Sequence, residues 1–124
     1  MINGIHALIY TKKPDNVRKF FKDILKFPSI DAGKGWLIFA LPPAELGVHP
    51  TDEDSYHELY FLCRDLKKTI IKLKKKRIKI LDPITDREWG LVTRIKLTGG
   101  DIFGIYQPKH PTAITLKHKK NILE

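Results

Sequence analysis

The stretch "AELGVHPTDEDSYHELYFLC", from Ala44 to Cys63, sets His49 and His57 among the carboxylates Glu45, Asp52, Glu53, Asp54 and Glu58, between two apolar runs. Imidazole nitrogens and carboxylate oxygens are the ligand types that hold first-row divalent ions. A histidine, whose ordinary pKa lies near neutrality, can also pass protons. The same residues equally suit a solvated turn between two strands, and the stretch by itself leaves both alternatives open. A further histidine, His6, lies in "NGIHALIYT", 51 residues before His57.

Those side chains need a scaffold, and length and composition limit what it can be. A chain of 124 residues with 42% hydrophobic content buries a core as one domain, without disulfides or a structural metal. No apolar run approaches the roughly 20 residues that span a bilayer. The first residues, "MINGIHALIYTKK", lack both the length of a signal-peptide core and a small-residue cleavage site, so no membrane partner is expected. The single cysteine, Cys63, excludes an internal disulfide and suits a reducing cytoplasm. It ends an apolar run, which predicts a buried, unreactive thiol.

The net charge of +9 invites a nucleic-acid partner, since basic surfaces release counterions from phosphates. In "DLKKTIIKLKKKRIKI", however, Leu66, Ile70 and Leu73 recur at helical spacing and the lysines fall on the other faces. That pattern predicts a solvated amphipathic helix. The chain also lacks a helix-turn-helix, zinc-finger or RNA-stacking signature, so a nucleic-acid role is not favoured.

The order of elements repeats. A strand is expected over 3–11, then a helix started by Pro14 and Asp15 with Val17, Phe20, Phe21, Ile24 and Leu25 as its buried stripe. Two strand-like runs follow, "GWLIFALP" and "AELGVHP", punctuated by Pro42, Pro43 and Pro50. "SYHELYFLC" then opens a second strand with His57 near its start, followed by the helix after Asp65, a strand near 78–82, and the runs "GLVTRIKLTGG" and "DIFGIYQP". Internal repetition of this kind dictates architecture before any other consideration.

The duplicated unit, the pairing of "GIHALIY" with "YHELYFLCRDL", and the ending "WGLVTRIKLTGGDIFGIYQPKHP" resemble the vicinal-oxygen-chelate superfamily of glyoxalases, extradiol dioxygenases and bleomycin- or fosfomycin-resistance proteins. The resemblance covers about residues 2–113. It implies an α+β fold in which two tandem βαβββ modules, about 2–50 and 56–108, form a cupped, mostly antiparallel eight-stranded sheet with the helices outside. The modules make a single domain, 1–113, followed by a basic tail, 114–124. It further implies a ligand site inside the cup and a homodimer.

In metal-dependent members of that superfamily the ligands come from the first and last strand of each half. Carried over position by position, the resemblance implies His6 and His57 as first-strand ligands and Glu45 as the last-strand ligand of the first half. In the second half the matching position holds Gly104, where metal-binding relatives carry glutamate. The trio would suffice for Fe, Mn, Ni or Zn with coordination positions left for substrate oxygens. Glu45 and His49 are the candidate proton-transfer groups. Strand parity agrees with a polar interior: Glu45, Gly47 and His49 oppose Leu46 and Val48; His6, Leu8 and Tyr10 oppose Ile5, Ala7 and Ile9; Gly104 and Tyr106 oppose Phe103 and Ile105. The apolar pair Leu46 and Val48 is expected against the helices. Tyr10, Trp36, Phe61, Trp89 and Tyr106 are candidates to shape a pocket.

Three functions follow as expectations. The first is a metal-dependent lyase, isomerase or ring-cleaving dioxygenase acting on a small oxygenated or aromatic molecule. The second, favoured by Gly104, is a metal-free small-molecule binder. The third, supported by charge alone, is a nucleic-acid-associated protein.

Overall fold

The computed structural model describes residues 6–116. Its elements in chain order are α1 (Pro14–Lys19) continuing into a π-helical turn (Phe20–Ile24), β1 (Ser29–Asp31), β2 (Leu37–Phe39), β3 (Tyr60–Leu62), α2 (Leu66–Lys75), β4 (Lys79–Ile80), β5 (Thr85–Arg87), β6 (Gly90–Lys96) and β7 (Ile102–Pro108). β1 and β2 form an antiparallel hairpin on their own. The remaining strands make one mixed sheet in the order β3-β7-β6-β4, with β5 also paired to β6. The class is α+β, as expected.

Local chemistry explains where the helices begin. Pro14 occupies the first position of α1, where its missing N–H costs nothing. The switch to π geometry, with the Leu25 N–H donating to the Phe20 carbonyl at 3.0 Å, widens the turn and lets the adjacent Phe20 and Phe21 both be buried. At α2 the Asp65 carboxylate accepts from the Lys68 N–H at 3.1 Å and caps the first turn. Leu66 and Leu73 form the buried stripe and the lysines stay in solvent, as the spacing predicts. Between β6 and β7 the chain reverses through Gly100 at φ +100°, a conformation that side-chain-bearing residues rarely adopt.

The core gathers residues from both halves of the sequence. Val17, Phe20 and Phe21 pack with Leu66, Leu73, Ile95, Leu97, Phe103 and Ile105. Phe20 stacks on Phe103 at 6.3 Å, and Phe21 meets Phe61 edge-on at 5.9 Å. Both helices therefore lie on the sheet face that carries Phe103 and Ile105. Within this core the buried Thr93 hydroxyl donates to the Asp82 carbonyl at 2.7 Å. Arg94 grips the Asp82 carboxylate with Nε at 2.6 Å and Nη2 at 3.1 Å.

The second half follows the expected unit, and the first half departs from it. Residues 6–11 and 44–50 are not strands within the single chain, so the described residues form a two-stranded and a five-stranded sheet rather than one sheet of eight. Leu46 and Val48, expected against the helices, are 84% and 90% exposed, and Leu8 and Tyr10 are 67% and 89% exposed. Pro42, Pro43 and Pro50 remove backbone donors on both sides of the "AELGVH" run, and among the described residues no strand pairs with it. The tail 114–124 falls mostly outside the described residues. No helix among the described residues is long and apolar enough to cross a membrane.

Candidate functional site

Alternation along β7 sends Phe103 and Ile105 into the core and leaves Gly104 and Tyr106 on the opposite face, the parity expected from the sequence. β3 lies parallel to β7 with Tyr60 opposite Gly104 and Leu62 opposite Tyr106. Trp89 sits at the turn from β5 into β6, where its carbonyl accepts from the Lys109 N–H at 3.0 Å. The three rings converge edge to face: Tyr60 to Tyr106 at 5.6 Å, Trp89 to Tyr106 at 5.1 Å, and Tyr60 to Trp89 at 6.3 Å. Such pairs gain about 0.5–1.5 kcal/mol beyond area burial.

Two glycines make room for those rings. A β-carbon at Gly104 would lie 2.5 Å from Cε1 of Tyr60, and one at Gly90 would lie 2.5 Å from the Gln107 carbonyl oxygen and 3.1 Å from Cδ2 of Tyr106. The glycine at 104 is thus occupied by an aromatic ring from the neighbouring strand.

Polar groups edge the cluster. The Tyr60 hydroxyl donates to Glu58 Oε2 at 2.6 Å. That bond to a carboxylate, with burial second, pushes the Tyr60 pKa up to about 12. The Tyr106 hydroxyl lies 3.3 Å from His110 Nε2, and His110 Nδ1 lies 2.8 Å from the Pro111 carbonyl. A carbonyl can only accept, so Nδ1 carries the proton and, in the neutral ring, Nε2 accepts from Tyr106. Glu45 is half-buried and its Oε2 accepts from the Ala113 N–H at 2.6 Å. Burial, and then the Glu45 charge, raise the Tyr106 pKa. Glu45, Tyr106, His110 and the 113 amide therefore form one neighbourhood.

Of the predicted ligands only Glu45 reaches this neighbourhood. His6, His49 and His57 are exposed on segments outside the strands. Among the described residues no group of three or more His, Cys, Asp or Glu side chains is placed to hold a metal ion, so His6, Glu45 and His57 do not converge within one chain. Of the candidate pocket aromatics, Trp89 and Tyr106 belong to the cluster, Phe61 packs in the core, Tyr10 is exposed, and Trp36 is exposed with the Arg18 guanidinium 6.0 Å from its ring. Cys63 is half-buried, and burial raises its thiol pKa. Tyr60 and His110 were not singled out by sequence, and Glu58 stood there only as one carboxylate of the Ala44–Cys63 stretch. The signal for Tyr60 is its cross-strand partnership with Gly104, which becomes visible only once the β3–β7 register is known.

Sequence comparison finds neither a matching family model nor a matching curated protein. Structural comparison does. The antibiotic-binding protein TnmS3 from Streptomyces sp. CB03234 superposes with a TM-score of 0.63 at 18% identity, covering 87% of this chain and 98% of that one. The fold is that of the glyoxalase/bleomycin-resistance proteins. A glyoxalase/bleomycin resistance protein from the same Streptomyces strain gives a TM-score of 0.54 at 17% identity, over 78% of this chain and 93% of that one. Lactoylglutathione lyase from Agrobacterium tumefaciens gives 0.60 at 10% identity, over 85% and 92%. This glyoxalase-like fold accommodates both a binding protein and a lyase, so the choice between them belongs to the residues of the site.

Proposed function

We propose that this chain binds a small aromatic or oxygenated molecule on the Tyr60–Trp89–Tyr106 face, with Glu45 and His110 as the polar groups that orient it. The observation that carries this reading is the ring of Tyr60 over Gly104: where a carboxylate ligand would stand, the sheet presents an aromatic surface. Tyr60 and Trp89 remain 38% and 40% exposed, so their ring surface is available for stacking. The likeness of the fold to an antibiotic-binding protein supports the same reading.

In this proposal a second copy completes the cup. The segments 6–10 and 44–50 leave the large apolar side chains Leu8, Tyr10, Leu46 and Val48 exposed, as segments that lack a neighbour do. Pairing between two copies supplies that neighbour, closes the eight-stranded sheet and walls the aromatic face, which is open in the single chain.

Trp89 emission provides the test. In a Trp36→Phe background, titration with bleomycin and with an anthraquinone sulfonate as planar probes gives saturable quenching, weakened about tenfold by Tyr106→Ala, in line with the stacking energies of aromatic pairs. No saturable quenching with either probe would sink the proposal.

Metal-dependent lyase or dioxygenase chemistry through His6, Glu45 and His57 is the competing reading. One observation favours it: Glu45 already stands beside Tyr106. It requires the histidine-bearing segments to converge on that carboxylate. Metal analysis of protein purified without chelators decides it: stoichiometric metal lost in both His6→Ala and His57→Ala supports it, and no metal after repletion with Fe, Mn, Ni and Zn removes it.

A further inference from the structure

The densest run of positive charge in this chain lies along α2 and the turn into β4. Lys67, Lys68, Lys72, Lys74, Lys75, Lys76, Arg77 and Lys79 lie between residues 66 and 81, a segment without a single acid; it carries +8 of the chain's net +9. Outside it the charges nearly cancel in sum: residues 12–34 hold seven bases interspersed with three acids, and residues 45–65 are acidic, so 66–81 is the densest run of bases without acids. All eight side chains are exposed, and among the described residues none of them forms an ion pair.

Helix stability does not account for the arrangement. Lys72, Lys74 and Lys75 in the last turn of α2 complement the helix dipole. Lys67 and Lys68 stand in the first turn, where positive charge opposes it, with the capping carboxylate of Asp65 as the one acid beside them. Around the axis, Lys74, Lys67, Lys75, Lys68 and Lys72 sweep one continuous outer arc, opposite Leu66 and Leu73. That arc also points away from the aromatic face, since α2 covers the other side of the sheet.

We propose that the outer face of α2 binds the phosphate backbone of duplex nucleic acid without reading its sequence. Lysine ammonium groups are compact point charges suited to phosphate oxygens, and release of condensed counterions drives the association. The arc carries no aromatic residue, so it offers no platform for unstacked bases and favours duplex over single strands. Ile71 is its one exposed apolar side chain, too little to insert into a lipid surface.

Fluorescence anisotropy of the full chain with a labelled random-sequence DNA duplex, and with the same length of single strand, tests this. Four phosphate contacts predict that affinity falls about 10²-fold between about 50 and 200 mM salt. The K67Q/K68Q/K74Q/K75Q variant, which keeps helix-forming side chains, weakens binding at least about tenfold and flattens the salt slope, since each lost contact removes about 0.9 from it. K12Q/K19Q/K22Q/K34Q removes as much charge from elsewhere on the exposed surface and changes binding less than about threefold. Absence of duplex binding at the lowest salt, tighter binding of the single strand, equal loss in both variants, or binding to phosphatidylserine vesicles in place of the duplex would each overturn the proposal. The salt series on the native chain stands whether or not the variants fold.

Discussion

Tyr60 and Gly104 are partners across the parallel β3–β7 pair, and the Tyr60 ring fills the space that a side chain at 104 would need. Gly104→Ala is therefore expected to destabilise the fold by about 1–3 kcal/mol through overpacking. In a Tyr60→Ala background the same substitution costs less, because the two sites share one volume. Urea unfolding of the four proteins of the cycle measures this. An equal cost in both backgrounds would show that the ring is not what excludes the side chain.

The Tyr60 hydroxyl is held protonated by Glu58, and its ionisation supplies a pH signature. A group whose folded pKa is raised from 10.0 to about 12 gives stability that is complete below pH 10 and is lost as pH rises through about 12. Ultraviolet titration of the native chain should show Tyr60 among the tyrosines that ionise late, together with Tyr106, and Glu58→Gln should return one of them toward the ordinary value. Identical titration curves for the two proteins would refute the assignment.

At the start of α2, Asp65→Ala removes the N-cap acceptor of the Lys68 N–H, leaving Gln107 on the Leu66 N–H, and is expected to cost about 1 kcal/mol, whereas Asp65→Asn or Asp65→Ser keeps an acceptor and most of the stability. A thermal midpoint unchanged by the alanine would contradict the capping role.

Leu46 and Val48 discriminate between a lone chain and a pair. Being so exposed, their replacement by lysine changes the stability of a monomer by less than about 0.5 kcal/mol. In a dimer closed through 44–50, Leu46→Lys with Val48→Lys shifts the sedimentation profile of the native protein from two copies to one. A single-copy profile for the native chain at every concentration rules out that closure.

The second half of the chain was legible in the sequence because each of its signals is local. Asp65 followed by Leu66, Ile70 and Leu73 specifies a capped amphipathic helix, and the alternation around Gly104 gives the faces of β7 correctly. The first half was less so. "AELGVHP" has the alternation of a strand, but a strand also needs an edge to pair with, and among the described residues none pairs with it, which leaves Leu46 and Val48 exposed. For the site, Tyr106 and Trp89 stood out as aromatics, while Tyr60 and His110 depended on register and on a turn past β7. Histidine spacing drew attention to His6 and His57, whose convergence is a tertiary matter that spacing cannot decide.

Phe20, on the first helix, has its stacked partner Phe103 on the last strand, and Phe21 leans on the same ring. During synthesis the first helix therefore leaves the ribosome well before the surface that shelters it exists. The interval before β7 arrives is when an apolar segment is most open to wrong partners. Contacts so distant along the chain also slow the search for the native arrangement. Truncation before residue 103 would accordingly leave an unsheltered apolar helix in place of a smaller working module.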